Sequence, residues 1–94
     1  MQIDYIEELK KQYRAHRDVS MWAYPDFETD EQFVKCLGIP TWWLKFDVQG
    51  TTRTHYAALK KLEKEGRVIS YSNSPNSRFW WPVGFAAELT NGRN

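Results

Sequence analysis

Cysteine occurs once in these 94 residues and histidine twice. Cys36 therefore has no partner for an internal disulfide, and with only His16 and His55 beside it there is no CxxC or HxxxH framework for a metal. Cys36 is expected to be a small buried hydrophobe. Long apolar runs are missing too: no stretch approaches the roughly 20 consecutive apolar residues that span a bilayer. The opening MQIDYIEELKK is charged and amphipathic, unlike a signal peptide. A cytoplasmic protein without a membrane partner is expected. Catalytic groups are sparse as well, because no His, Cys and Asp set lies close enough to suggest general acid–base chemistry, so neither enzyme activity nor a cofactor is expected. The formal net charge is only +1, less than strongly basic DNA-binding domains carry.

Large rings are abundant. Five Trp, five Tyr and five Phe within a hydrophobic fraction of 41% argue against disorder and for a core of rings. A chain of this length makes one domain, 1–94, burying roughly 60–70% of its unfolded surface. The charge is also polarised along it. Residues 1–48 hold six Lys/Arg against nine Asp/Glu, net −3, whereas residues 49–94 hold seven against three, net +4. A polyanion would be steered to the second half.

Asp4, with Glu7 three residues on, has the pattern of a capping box, and Ile6, Leu9, Tyr13 and His16 follow at helical spacing. A helix is expected over 5–17. From Asp18 to Glu31, Trp22, Tyr24 and Phe27 are mixed with acids, and Pro25 excludes a continuous helix. This segment is either a loop whose rings pack on the core or an acidic, aromatic surface that docks on another protein, with Trp22, Tyr24 and Phe27 as its contacts. Thr29 or Asp30 can cap a short helix that buries Phe33, Val34 and Leu37 and stops at Gly38. Thr41 can cap another, TWWLKFDV, although Trp42, Trp43, Leu44 and Phe46 are apolar enough for a buried strand. RVISYS and SRFWWPV read as a hairpin with a loop of about four to six residues, closed by Pro82. Trp80 and Trp81 point to opposite faces of such a strand, so at least one is in the core, and both are expected to cover its floor. The tail from Phe85 is expected to make one helical turn and fray from Asn91.

The stretch between these parts, TTRTHYAALKKLEKEGR, follows Gly50 and ends at Gly66. On a wheel of about 100° per residue, Ala57, Lys60 and Lys64 fall within roughly 40° of Arg53, and Lys61 lies nearby. His55, Leu59 and Leu62 lie opposite. One side is thus fitted to a core and the other to phosphates. Leu59, Leu62, Glu63, Gly66 and Val68, followed by a hairpin, resemble the winged helix-turn-helix superfamily, in which a turn rich in Ser and Thr leads into a recognition helix and a wing. The resemblance implies an α+β fold of three to four helices with a C-terminal two-stranded hairpin, the core spanning 30–83.

It further implies a small DNA-binding protein, expected to regulate transcription, whose helix 51–65 enters the major groove of double-stranded DNA. Thr51, Thr52, Arg53 and Ala57 would face the bases, with Arg53 able to grip guanine bidentately. Lys60, Lys61 and Lys64 would lie near phosphates, and the wing 72–78 would offer Asn73, Asn76 and Arg78. His55 stands where the superfamily usually buries an aliphatic residue and is read as a core histidine. A lone winged helix reads few base pairs, which leaves room for a homodimer through the first helix. The alternative is an interaction module with a protein partner, such as a phage or mobile-element factor acting on host machinery. Basic helices and exposed rings do not by themselves distinguish duplex DNA from single strands or RNA.

Overall fold

The computed structural model describes residues 3–17, 27–74 and 77–91. Helix α1, Tyr5–His16, begins where Asp4 accepts a hydrogen bond from the Glu7 amide at 3.2 Å. It buries Tyr5, Leu9, Gln12 and Tyr13, one face of the helix. Helix α2, Asp30–Leu37, has a complete capping box: the Gln32 amide donates to Thr29 Oγ1 and the Thr29 amide donates back to Gln32 Oε1. Phe33, Val34 and Leu37 are its buried stripe. Cys36 lies off that stripe and is exposed, which corrects the expectation of burial.

Strand β1 is only Ile39–Pro40. It is followed by a 3₁₀ turn, Thr41–Trp43, and a single α-turn, α3, Leu44–Asp47. The segment is therefore helical rather than a buried strand. Thr41 does not cap it: Pro40 holds that position, and the Thr41 hydroxyl instead donates to the Arg78 carbonyl at 3.3 Å and accepts the Trp80 indole N–H at 2.7 Å.

Helix α4, Thr52–Lys64, is capped by Thr51, whose Oγ1 accepts the Thr54 amide at 3.1 Å. At its far end the Arg67 amide donates to the Leu62 carbonyl and the Gly66 amide to the Glu63 carbonyl, both at 3.0 Å. These two bonds form a Schellman stop, and Gly66 takes the positive φ, 77°, that the stop requires.

Strands β2, Val68–Ser74, and β3, Ser77–Pro82, form an antiparallel hairpin with a register irregularity between Tyr71 and Ser74. Strand β2 runs farther than expected, to Ser74, so the connection is shorter than four residues. The Ser72 hydroxyl spans its end, 2.6 Å from the Ser74 carbonyl and 2.7 Å from the Ser77 carbonyl. Strand β1 pairs with the other edge of β3, giving the sheet order β1-β3-β2. Sequence reading missed β1, a two-residue strand that includes a proline; as an edge strand it tolerates the missing N–H.

Helix α5, Phe85–Asn91, is longer than the single turn expected. The Asp30 carboxylate organises its start, accepting the Gly84 and Ala86 amides at 2.9 and 3.0 Å and the Trp81 indole N–H at 2.9 Å. Lys10 pairs with Glu88 at 2.9 Å, tying α5 to α1.

The chain is α+β, with five α-helices and a three-stranded antiparallel sheet among the described residues. Both tryptophans of β3 are fully buried, on opposite faces. Trp81 stacks on Phe33 at 4.9 Å and meets Tyr13 and Phe85 at 5.3 and 5.0 Å. Trp80 meets Tyr56 of α4 edge-on at 5.7 Å. No helix among the described residues is long and apolar enough to cross a membrane.

Candidate nucleic-acid interface

The two faces of α4 have separate tasks. His55 and Leu59 are fully buried, and Leu62 packs partly against the same core. Tyr5 Oη lies 2.8 Å from His55 Nδ1, and His55 Nε2 lies 3.3 Å from the Val48 carbonyl. A carbonyl only accepts, so Nε2 carries the proton, and Nδ1 accepts from Tyr5. Burial pushes the Tyr5 hydroxyl above its ordinary pKa, which keeps it a donor. This chain anchors the first turns of α4 to α1 and to the connection before it. Gly50, at φ 126°, passes so close that a Cβ there would sit 3.1 Å from His55 Cε1.

The outward face carries the residues expected at DNA. Thr51, Arg53, Ala57, Lys61 and Lys64 are exposed, while Thr52 and Lys60 are half-buried. Ala57 leaves the face flat between Arg53 and the lysines. The Thr51 side chain is committed to its cap and lies 3.0 Å from the Thr54 hydroxyl.

Lys60 and Arg78 are not free cations. Lys60 pairs with Glu63 at 3.0 Å, the Ser70 hydroxyl donates to the other Glu63 oxygen, and Arg78 donates to Ser70 Oγ at 2.7 Å. Burial pushes the Glu63 carboxyl upward, but the hydrogen bonds from Ser70 and Lys60 and the charges of Lys60 and Arg78 outweigh it and hold the group below the usual carboxylate range. The network joins α4 to both strands of the hairpin. It also leaves Arg53, Lys61 and Lys64 as the unpaired cations of α4 among the described residues.

Lys61 departs from the line of Arg53 and Lys64. It lies at the lip of a groove of about 690 Å³ between the start of α1 and the last turns of α4, with Ile3, Ile6, Ala58 and Leu62 in its wall. On the hairpin, Asn73 is exposed and Arg78 half-buried, while Asn76 lies outside the described residues. Trp22 and Tyr24 also lie outside them. Phe27 is partly buried, 5.5 Å from Phe33, and covers an edge of the core.

Three rings that sequence reading had assigned no surface role are exposed: Trp42 (52%), Phe46 (69%) and Tyr56 (38%). Trp42 and Tyr56 face a cleft of about 270 Å³ between the 3₁₀ turn, the first turns of α4 and the hairpin. Unbroken apolar sequence suggested burial, but a tight 3₁₀ turn followed by one α-turn presents its side chains on several sides, and only Leu44 of TWWLKF is fully buried.

Comparison of the chain with known protein families, curated proteins and solved structures finds no match. The functional reading therefore rests on these residues.

Proposed function

We propose that the chain is a winged helix-turn-helix protein that binds double-stranded DNA and regulates transcription, with α4 as its recognition helix and the β2–β3 hairpin as its wing. The order α2, β1, turn-helix, α4, β2, β3, with β1 on the far side of β3, supports the fold. The observation that carries the function is the single exposed face of α4, where Arg53, Ala57 and Lys64 line up opposite the buried His55 and Leu59. In the major groove Arg53, in the first turn, is the base reader, donating two hydrogen bonds to guanine, and Thr52 lies next to it. Lys64 and Lys61 lie farther along, in the last turn, where they neutralise phosphates. Asn73 and Arg78 approach the backbone from the hairpin, with Arg78 sharing its charge with Glu63. Affinity rests on few cations and is modest and salt-sensitive.

Replacing Arg53 and Lys64 together by Glu tests this reading, because neither is tied to Glu63. Retention on duplex DNA at low salt is expected to vanish while the circular dichroism spectrum and melting temperature stay unchanged. Wild-type protein that binds no duplex at low salt refutes it.

Phe46 favours a second reading. A large apolar ring 69% exposed on the one-turn α3, with Trp42 5.9 Å away, suits docking on a protein, such as host machinery engaged by a phage factor. Pull-down from cytosol discriminates: a stoichiometric protein lost on Phe46→Ala, with no enrichment of DNA, supports the module.

A further inference from the structure

We infer that the cleft between the 3₁₀ turn, α4 and the hairpin holds a single unpaired DNA base, so that the protein prefers DNA with a base out of the stack over intact duplex. This rests on the DNA-binding reading and specifies its substrate. The cleft, about 270 Å³, is close to the smallest small-molecule sites, roughly 300 Å³, and fits one ring system rather than a peptide helix. Its walls combine three rings, Trp42, Tyr56 and Phe79, with one cation, Arg78, and the hydroxyls of Thr52 and Ser77; among the described residues no acidic one lines it. Rings beside a guanidinium, of which one nitrogen is engaged by Ser70, match a planar base attached to a phosphate.

The rings are also held in place. Trp42 is edge-to-face with Trp43 at 6.1 Å and with Phe46 at 5.9 Å, and Trp43 is itself covered by the Arg17 guanidinium at 4.7 Å. Tyr56 rests on Trp80, whose indole is fixed by Thr41. A half-exposed ring braced on two sides loses little freedom when a base stacks on it. A base inside an intact duplex has both faces occupied by its neighbours, so only an unstacked one reaches such a ring. Thr52 lines the cleft and belongs to the same first turn of α4 as Arg53, which places the cleft at the base-reading end of that helix.

Fluorescence anisotropy with three labelled DNAs of one sequence tests this: an intact duplex, the same duplex with a one-nucleotide bulge, and the same bulge without its base. Full-length protein is expected to bind the bulged duplex about 5- to 100-fold tighter than the intact one, and the abasic bulge no tighter than the intact duplex. Trp42→Ala is expected to abolish the preference and Trp42→Phe to retain part of it, with unchanged melting temperatures. Equal affinity for bulged and intact duplex, an abasic bulge bound as tightly as the bulge with its base, or a preference untouched by Trp42→Ala overturns the inference and leaves the duplex reading standing. Failure to bind any of the three DNAs overturns both.

Discussion

The Tyr5 hydroxyl and the His55 ring form the most consequential pair of side chains for the position of α4. Tyr5→Phe keeps the ring and deletes the donor, leaving Nδ1 of a fully buried imidazole unsatisfied, a cost of about 1–3 kcal/mol. Urea denaturation should show that loss at neutral pH. The sign of its pH dependence follows from the raised Tyr5 pKa: the hydroxyl contributes below the ordinary tyrosine value of about 10 and its contribution fades as pH rises through the higher folded value. The gap between wild type and Tyr5→Phe should therefore narrow in alkali; a gap that widens there rules out the hydroxyl as donor. That His55 is a core residue was readable from its place opposite Arg53 on the helical wheel. Its partner was not, because Tyr5 is 50 residues away and nothing in a periodic pattern names the far end of a hydrogen bond.

Between elements, carboxylates set the geometry. Asp30 joins α2 to β3 and α5 through three hydrogen bonds. Asp30→Ala is expected to cost about 2–3 kcal/mol, lowering the melting temperature by roughly 10–20 °C, with Asp30→Asn restoring part of it. A thermal melt within a degree or two of wild type would show that α5 docks without this carboxylate. Sequence reading weighed Asp30 as a cap for its own helix and underestimated α5, since a short helix at the end of a chain owes its stability to what it packs on.

Glu63 makes the corresponding link between α4 and the hairpin, and under the proposed DNA-binding function it holds back two cations. Glu63→Gln releases Lys60 and Arg78, so log affinity for duplex DNA should fall with log salt more steeply than in wild type, by about 1 to 2 units of slope, with tighter binding at low salt. An unchanged slope between 50 and 200 mM salt, the range over which phosphate contacts are strongly expressed, would show that neither cation reaches a phosphate. Because the folded Glu63 pKa is depressed, its contribution to stability is present above the usual carboxylate range and is lost as pH falls through the lower folded value. The effect is modest because the carboxylate remains partly exposed and screened by solvent.

Over the whole molecule, the core is built around the two tryptophans of β3. Trp81 contacts rings from α1, α2 and α5 together. Trp81→Ala should cost about 3–5 kcal/mol, a large share of the roughly 5–15 kcal/mol available to a domain. Unfolding should remain a single cooperative transition at a much lower midpoint. Loss of α5 alone, seen as a separate transition by hydrogen exchange, would show that these helices do not share one core. The charge asymmetry of the two chain halves belongs to this scale as well. Under the proposed function it steers DNA toward the second half, while the Lys60–Glu63–Ser70–Arg78 network trims the field that the composition promises.

The sequence by itself determined the long helix, its stop at Gly66, the division into a core face and a cationic face, and the hairpin with its buried tryptophan pair. These are local or periodic properties, written in residue spacing and in the few side chains that cap helices or adopt positive φ. Only the tertiary structure decided that a two-residue strand would complete the sheet, that Asp30 would serve α5, that two of the cations would be held by Glu63, and that Trp42 and Phe46 would face outward. Each of these depends on a partner distant in sequence or on which sides of a tight turn happen to be covered. Hydrophobicity measures the gain from burial, but only packing determines which rings find a place in the core.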